Sequence, residues 1–174
     1  MVAAGPAAGE SEAAPTAAAS PAKPELPGAL QDIQDQCADK STVRPSAEKS
    51  QAAGDGSMPE NPKWAENHGY LQTLRLSPRG ACEGAAHRER LQGALSQQKV
   101  PSAAGVQDTL RALDYPQSRV LGLYESGGLV LFTLDLSHAT SGVCLDGSVR
   151  PQGVQLEEHG VYLEGGCERP KGGH

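Results

Sequence analysis

Arg119-Val120-Leu121-Gly122-Leu123-Tyr124-Glu125-Ser126-Gly127-Gly128-Leu129-Val130-Leu131-Phe132-Thr133-Leu134-Asp135-Leu136 is the stretch on which the fold of this chain turns. Two runs of strand-forming residues flank Glu125-Ser126-Gly127-Gly128, and this pattern predicts a hairpin with a glycine-containing loop. In the second run Val130, Phe132, Leu134 and Leu136 share one face, while Thr133 and Asp135 stand on the other with Leu129 and Leu131. Such a strand is covered mostly on one side.

Downstream, a short unit occurs three times: Gly142-Val143-Cys144-Leu145, Gly153-Val154-Gln155-Leu156 and Gly160-Val161-Tyr162-Leu163, each followed by an acidic residue. Val-x-Leu puts two apolar side chains on one face of an extended segment, and the leading glycine marks a turn. The spacing of the copies is uneven, which argues against a solenoid and for three strands of one sheet. With Asp146-Gly147 and Glu157-Glu158-His159-Gly160 read as turns, the expectation is a five-stranded antiparallel meander over 119–163.

Upstream, the period changes. Leu91 and Leu95 follow Ala85-Ala86 at helical spacing, and Val106, Leu110 and Leu113 form a second set, separated from the first by Pro101 and Gly105. Two short helices are predicted, and with the meander they form a small α+β module over 85–164. The tail 165–174 reads as disordered.

The rest of the chain is poor in apolar residues. Val, Ile, Leu, Met, Phe, Trp and Tyr number eight in residues 1–65 and eighteen in residues 119–163. So little apolar surface cannot offset a backbone ordering cost of roughly 1–2 kcal/mol per residue, so residues 1–62 read as a largely disordered, low-complexity arm. Within it Leu30, Ile33 and Cys37 fit one helix of about three turns, marginal by itself in water. Residues 63–84 read as a transitional segment. There Trp64, Tyr70, Leu71 and Leu74 cluster between prolines and, like Leu30 and Ile33, are candidates for binding a partner protein.

A net charge of −6 and a pI near 5.3 argue against a nucleic-acid partner. The few aromatic residues do not suit a base-stacking platform either. No segment has the roughly 18 apolar residues of a membrane span. Cysteines 37, 82, 144 and 167 form no Cys-x-x-Cys pair and have no nearby histidine at a ligand spacing, so no metal site and no cofactor are expected. Without an apolar secretory segment in the sequence given, the thiols are expected to be reduced, in the cytoplasm or nucleus.

Asp135, Ser137 and His138 have the residue types of a hydrolase triad, but they are too close in an extended chain to surround one reacting atom. No Gly-x-Ser-x-Gly elbow accompanies them. Asp146, Glu157, Glu158 and Glu164 lack the spacing of a calcium loop and read as solvated turns. Ser20 and Ser77, each followed by proline, resemble substrates of proline-directed kinases, and Arg119-Val120-Leu121-Gly122-Leu123 resembles a cyclin-docking peptide. The expectation is therefore a non-enzymatic intracellular protein-interaction protein with a modifiable arm and an unidentified protein partner. Self-association through the C-terminal sheet is a further possibility. The alternatives are a small enzyme subunit or hydrolase-like module, with His138 or His159 facing a pocket beside Asp135 or Glu158, and a translated product without a settled fold.

Overall fold

The computed structural model describes residues 26–45 and 69–171. Three helices and one four-stranded antiparallel sheet make a small α+β module. The helices are α1 (Gly28–Gln36), α2 (Pro78–Leu95) and α3 (Ala103–Ala112), and the strands are β1 (Val120–Ser126), β2 (Leu129–Asp135), β3 (Val143–Arg150) and β4 (Gly153–Gly160). The strands lie in the order β1-β2-β3-β4.

The β1–β2 hairpin closes through Gly127 and Gly128, both at positive φ, as a two-residue turn between the paired Ser126 and Leu129 requires. Inside β1 the register shifts: Leu121 faces Thr133 and Tyr124 faces Leu131, so Gly122 and Leu123 together oppose Phe132. Gly122, at φ 58°, carries this bulge. The extra residue turns Leu123 inward beside Val120, and both pack on the core.

One face of the sheet is the core. Val130, Phe132, Leu134, Val143, Leu145 and Val149 meet Leu91 and Leu95 of α2, Val106 and Leu110 of α3, and Leu26 and Leu30 from the N-terminal segment. α2 starts where its chemistry allows: Ser77 Oγ accepts a 3.1 Å hydrogen bond from the Gly80 amide, and Pro78 occupies the first turn. Ser102 caps α3 in the same way through Gly105.

Several expectations need correction. The third and fourth strands are longer than the repeated units, and the expected turns at 146–147 and 157–160 lie inside β3 and β4. Gly147 is a packing residue rather than a turn residue. It faces Phe132 in the register, and a Cβ there would overlap the phenyl ring. The third Gly-Val-x-Leu unit is no strand of the sheet; it pairs instead with an extended segment just before α2. Leu74 N donates to Val161 O at 2.8 Å and Leu163 N to Gln72 O at 3.1 Å. Gly160 permits the crossing, because a side chain there would run into the Leu74 carbonyl.

The module also reaches beyond 85–164. Residues 26–45, expected in the disordered arm, supply α1, whose Leu30 and Ile33 are buried. α2 starts seven residues before Ala85, within the expected transitional segment. The expected loose tail is anchored as far as Cys167, which is 2 % exposed. Residues 1–25, 46–68 and 172–174 lie outside the described part, and with them Ser20 and Trp64.

The thiols are not reduced. Cys37 joins Cys82, tying the end of α1 to α2, and Cys144 joins Cys167, tying the tail across β3. Separations of 45 and 23 residues conceal these pairings in the sequence, whereas the fold brings the Cα atoms to 5.9 and 5.4 Å. No helix among the described residues is long and apolar enough to cross a membrane.

Candidate functional site

The polar centre of the module is Glu83, on the first turns of α2 with its side chain 3 % exposed. A lone buried carboxylate would be costly, so both oxygens are engaged. Arg79, one turn earlier, donates from Nε to Oε1 at 2.8 Å, and His138 Nε2 lies 3.0 Å from Oε2. Burial pushes the Glu83 pKa up, but hydrogen bonds from His138 and Arg79, with the Ser141 hydroxyl close by, outweigh it and hold the carboxyl below its ordinary value. An ionised Glu83 places the His138 proton on Nε2 and leaves Nδ1 towards the Thr140 hydroxyl, at 3.3 Å.

His138 stands at the edge of a concave surface under the loop that joins β2 to β3. This pocket holds about 690 Å³ between residues 42–44, the residues before α2 and the turn His138–Ser141. The turn is closed by His138 N donating to Ser141 O at 2.8 Å. Arg119, 2 % exposed, steadies the loop by donating from Nη1 to the carbonyls of Asp135 and Ser137 at 3.2 and 2.8 Å. The Arg119–Leu123 stretch is therefore structural rather than a free docking peptide. Asp135 and Ser137 are bonded to each other, Oγ to Oδ1 at 2.6 Å, and Glu158 accepts Arg88 at 2.7 Å. The carboxylates found beside the two histidines are Glu83 at His138 and Asp146 at His159.

The second feature is the outer face of the sheet. The register aligns Tyr124, Leu131, Ser148 and Gln155 in one row and Leu121, Thr133, Asp146 and Glu157 in the next. The β1–β2 half is apolar, with Tyr124 54 % exposed. The β3–β4 half is acidic and polar. Burial raises the Asp146 pKa, but hydrogen bonds from His159 and Thr133 bring it below its ordinary value. The same Asp146 bond raises the pKa of His159, 3.3 Å away.

The remaining candidates have structural positions. Leu30 and Ile33 are core residues and offer no surface to a partner. Tyr70 and Leu71 sit half-buried in a short 3-10 turn, and Leu74 is half-buried in the segment paired with Val161. Ser77 is 6 % exposed and occupied as a helix cap, so it is not presented as a phosphorylation site. His87 and Tyr115, each 2 % exposed, share a buried 2.9 Å hydrogen bond, and burial lowers the His87 pKa to about 4. Among the described residues no three His, Cys, Asp or Glu side chains converge to hold a metal ion.

Sequence reasoning missed Arg44, Arg79, Glu83 and Thr140. One signal was present for two of them, since Arg79 and Glu83 stand at i and i+4 directly behind a Ser-Pro helix start. No protein-family model matches the chain, no curated protein is significantly similar to it, and no solved structure matches it.

Proposed function

We propose that this chain is a non-enzymatic protein-interaction module of an oxidising compartment, and that it binds its partner on the outer face of its sheet. The observation that carries this reading is the side-by-side placement of Leu121, Tyr124, Leu129 and Leu131 on β1 and β2, on the face opposite the helices. Asp146 and Glu157 stand directly opposite each other on the neighbouring half. An apolar strip beside carboxylates suits a partner segment that is apolar on one side and cationic at its flank.

Two further observations support the reading. Glu83 has both oxygens occupied, which leaves it to position His138 rather than to exchange protons with a substrate. All four cysteines are paired, and such disulfides persist where thiols are oxidised, so the compartment proposed here replaces the cytoplasm or nucleus.

The test is site-specific photo-crosslinking from position 124, compared with position 111 on α3. The expected result is a discrete product from position 124 only, suppressed by excess unlabelled wild type but not by excess Leu131→Asp. Equal products from both positions, or equal suppression by both competitors, would overturn the reading. A product with the mass of two copies would identify the partner as a second molecule of this chain.

A further inference from the structure

The pocket under the 136–142 loop takes no part in an interaction through the sheet face. Its volume of about 690 Å³ is that of a small-molecule site. Part of its lining is already engaged: Ser77 caps α2, and Ser137 is bonded to Asp135. Ser141 faces Glu83, and the His138 nitrogen on the Thr140 side accepts rather than donates, so the donors left for a ligand are those of Thr42, Arg44 and Thr140.

Arg44 is the strongest of these. Among the described residues its guanidinium has no ion-pair partner, and it is held over the loop at Gly142. A Cβ on Gly142 would stand 3.0 Å from Arg44 Nη2, so the close approach uses the missing side chain. Behind the pocket the Glu83 charge is met by Arg79 and His138. The surface that a ligand would meet therefore carries the Arg44 charge with no carboxylate beside it in the lining. The contact between Thr140 Oγ1 and His138 Nδ1, at 3.3 Å, is long for a hydroxyl and readily exchanged for a better partner. Ser141, at the base of the turn, is 6 % exposed and its hydroxyl has no hydrogen bond of ordinary geometry, although it lies near enough to Glu83 to lower that pKa.

We propose that this pocket binds a small ligand through an oxyanion head group, a carboxylate or a phosphate, with Arg44 as the principal contact and the hydroxyls of Thr42 and Thr140 completing the seat. A guanidinium presents paired N–H donors that match two oxygens of either group. Hydroxyls adapt as donors around the remaining oxygens. The pocket is much larger than one such group, and Leu76 and Val161 also line it. The head group is therefore one end of a molecule whose other end is at least partly apolar.

The experiment uses the full chain with disulfides intact, isotopically labelled and titrated separately with inorganic phosphate and with acetate. Saturable amide shifts confined to residues 42–44 and 137–142 are expected with at least one probe, and the probe that saturates identifies the head group. Arg44→Gln should weaken binding about tenfold or more, the loss of one hydrogen bond to a charged group. Arg111→Gln, on the exposed side of α3, should leave it unchanged. Arg44 is exposed, so its replacement does not threaten the fold. Thr140→Val provides a second variant, expected to weaken binding several-fold without a change in melting temperature. Saturation by neither probe, or equal binding by wild type and Arg44→Gln, would overturn the proposal. Both outcomes are independent of the sheet-face reading, because the two surfaces share no residue.

Discussion

Removing the disulfides should destabilise the module in the order of the loops they close. In the chain-entropy treatment a crosslink restricts the unfolded chain by an amount that grows with the logarithm of the loop it closes. For Cys37–Cys82, separated by 45 residues, this gives about 4 kcal/mol at 25 °C, and for Cys144–Cys167, separated by 23, about 3.4 kcal/mol. The two loops do not overlap in sequence, so the contributions should add to about 7 kcal/mol, comparable with the whole stability of an ordinary domain. The variants are Cys37→Ala with Cys82→Ala, Cys144→Ala with Cys167→Ala, and all four together. Alanine avoids placing an unpaired hydroxyl where Cys37 and Cys144 are buried. Urea denaturation should show each double variant lowered by roughly 3–4 kcal/mol, with the larger loss at 37 and 82, and the quadruple variant largely unfolded. Non-reducing peptide mapping of the wild type should recover both crosslinked peptides. Reactive thiols in the native protein, or a double variant within about 0.5 kcal/mol of wild type, would refute the reasoning.

Gly147→Ala should cost about 2–3 kcal/mol in urea denaturation, because its methyl group meets the Phe132 ring, and Phe132→Leu in the same chain should recover part of the loss. His87, buried and neutral, has a folded pKa of about 4 against an ordinary 6.5, so folding excludes its proton. Stability should therefore fall as the pH drops from about 6.5 towards 4, by about 3 kcal/mol in total, and His87→Gln should remove that part of the dependence. Glu83→Gln should lower stability at pH 7 by about 3 kcal/mol by leaving the Arg79 guanidinium without its counter-charge and the His138 N–H with a weaker acceptor. The folded Glu83 pKa lies below its ordinary 4.5, so its contribution is present above that pH and lost as the pH falls through the folded value. The difference between wild type and Glu83→Gln should narrow on acidification; a constant difference from pH 7 to 3 would count against an ionised Glu83.

How much was legible depended on whether the deciding interaction was local. β2 announces itself because Val130, Phe132 and Leu134 alternate cleanly, and its hairpin turn requires two positive-φ residues, which Gly127-Gly128 supplies without strain. α1 was legible as a short helix, but its burial was not, since that depends on a core completed far along the chain. α2 hid its first two turns because Gly80, Glu83 and Gly84 occupy its buried side, where a hydrophobic pattern is sought. The same Ser77-Pro78 that caps the helix matches a kinase site, and local sequence does not separate the two. Gly147 looks like a turn residue until Phe132 is placed opposite it. The Glu83–His138 pair spans 55 residues and joins a helix to a loop, so no spacing rule reaches it.

The bulge at Gly122 has a consequence for how the molecule meets its own copies. β1 is one of the two end strands of the sheet, β4 being the other, and has one row of backbone groups not paired in the ladder. A straight end strand of this kind would align a neighbour's strand along its whole length and start a growing ribbon. The extra residue between Leu121 and Tyr124 puts the two halves of β1 out of phase, so an incoming strand in register with one half is out of register with the other. Edge-to-edge growth is interrupted within the first strand, and face-to-face contact through the apolar half of the sheet remains open. The β1 edge is thus a poor template for a neighbour's strand, although Tyr124 and its leucine neighbours stand beside it.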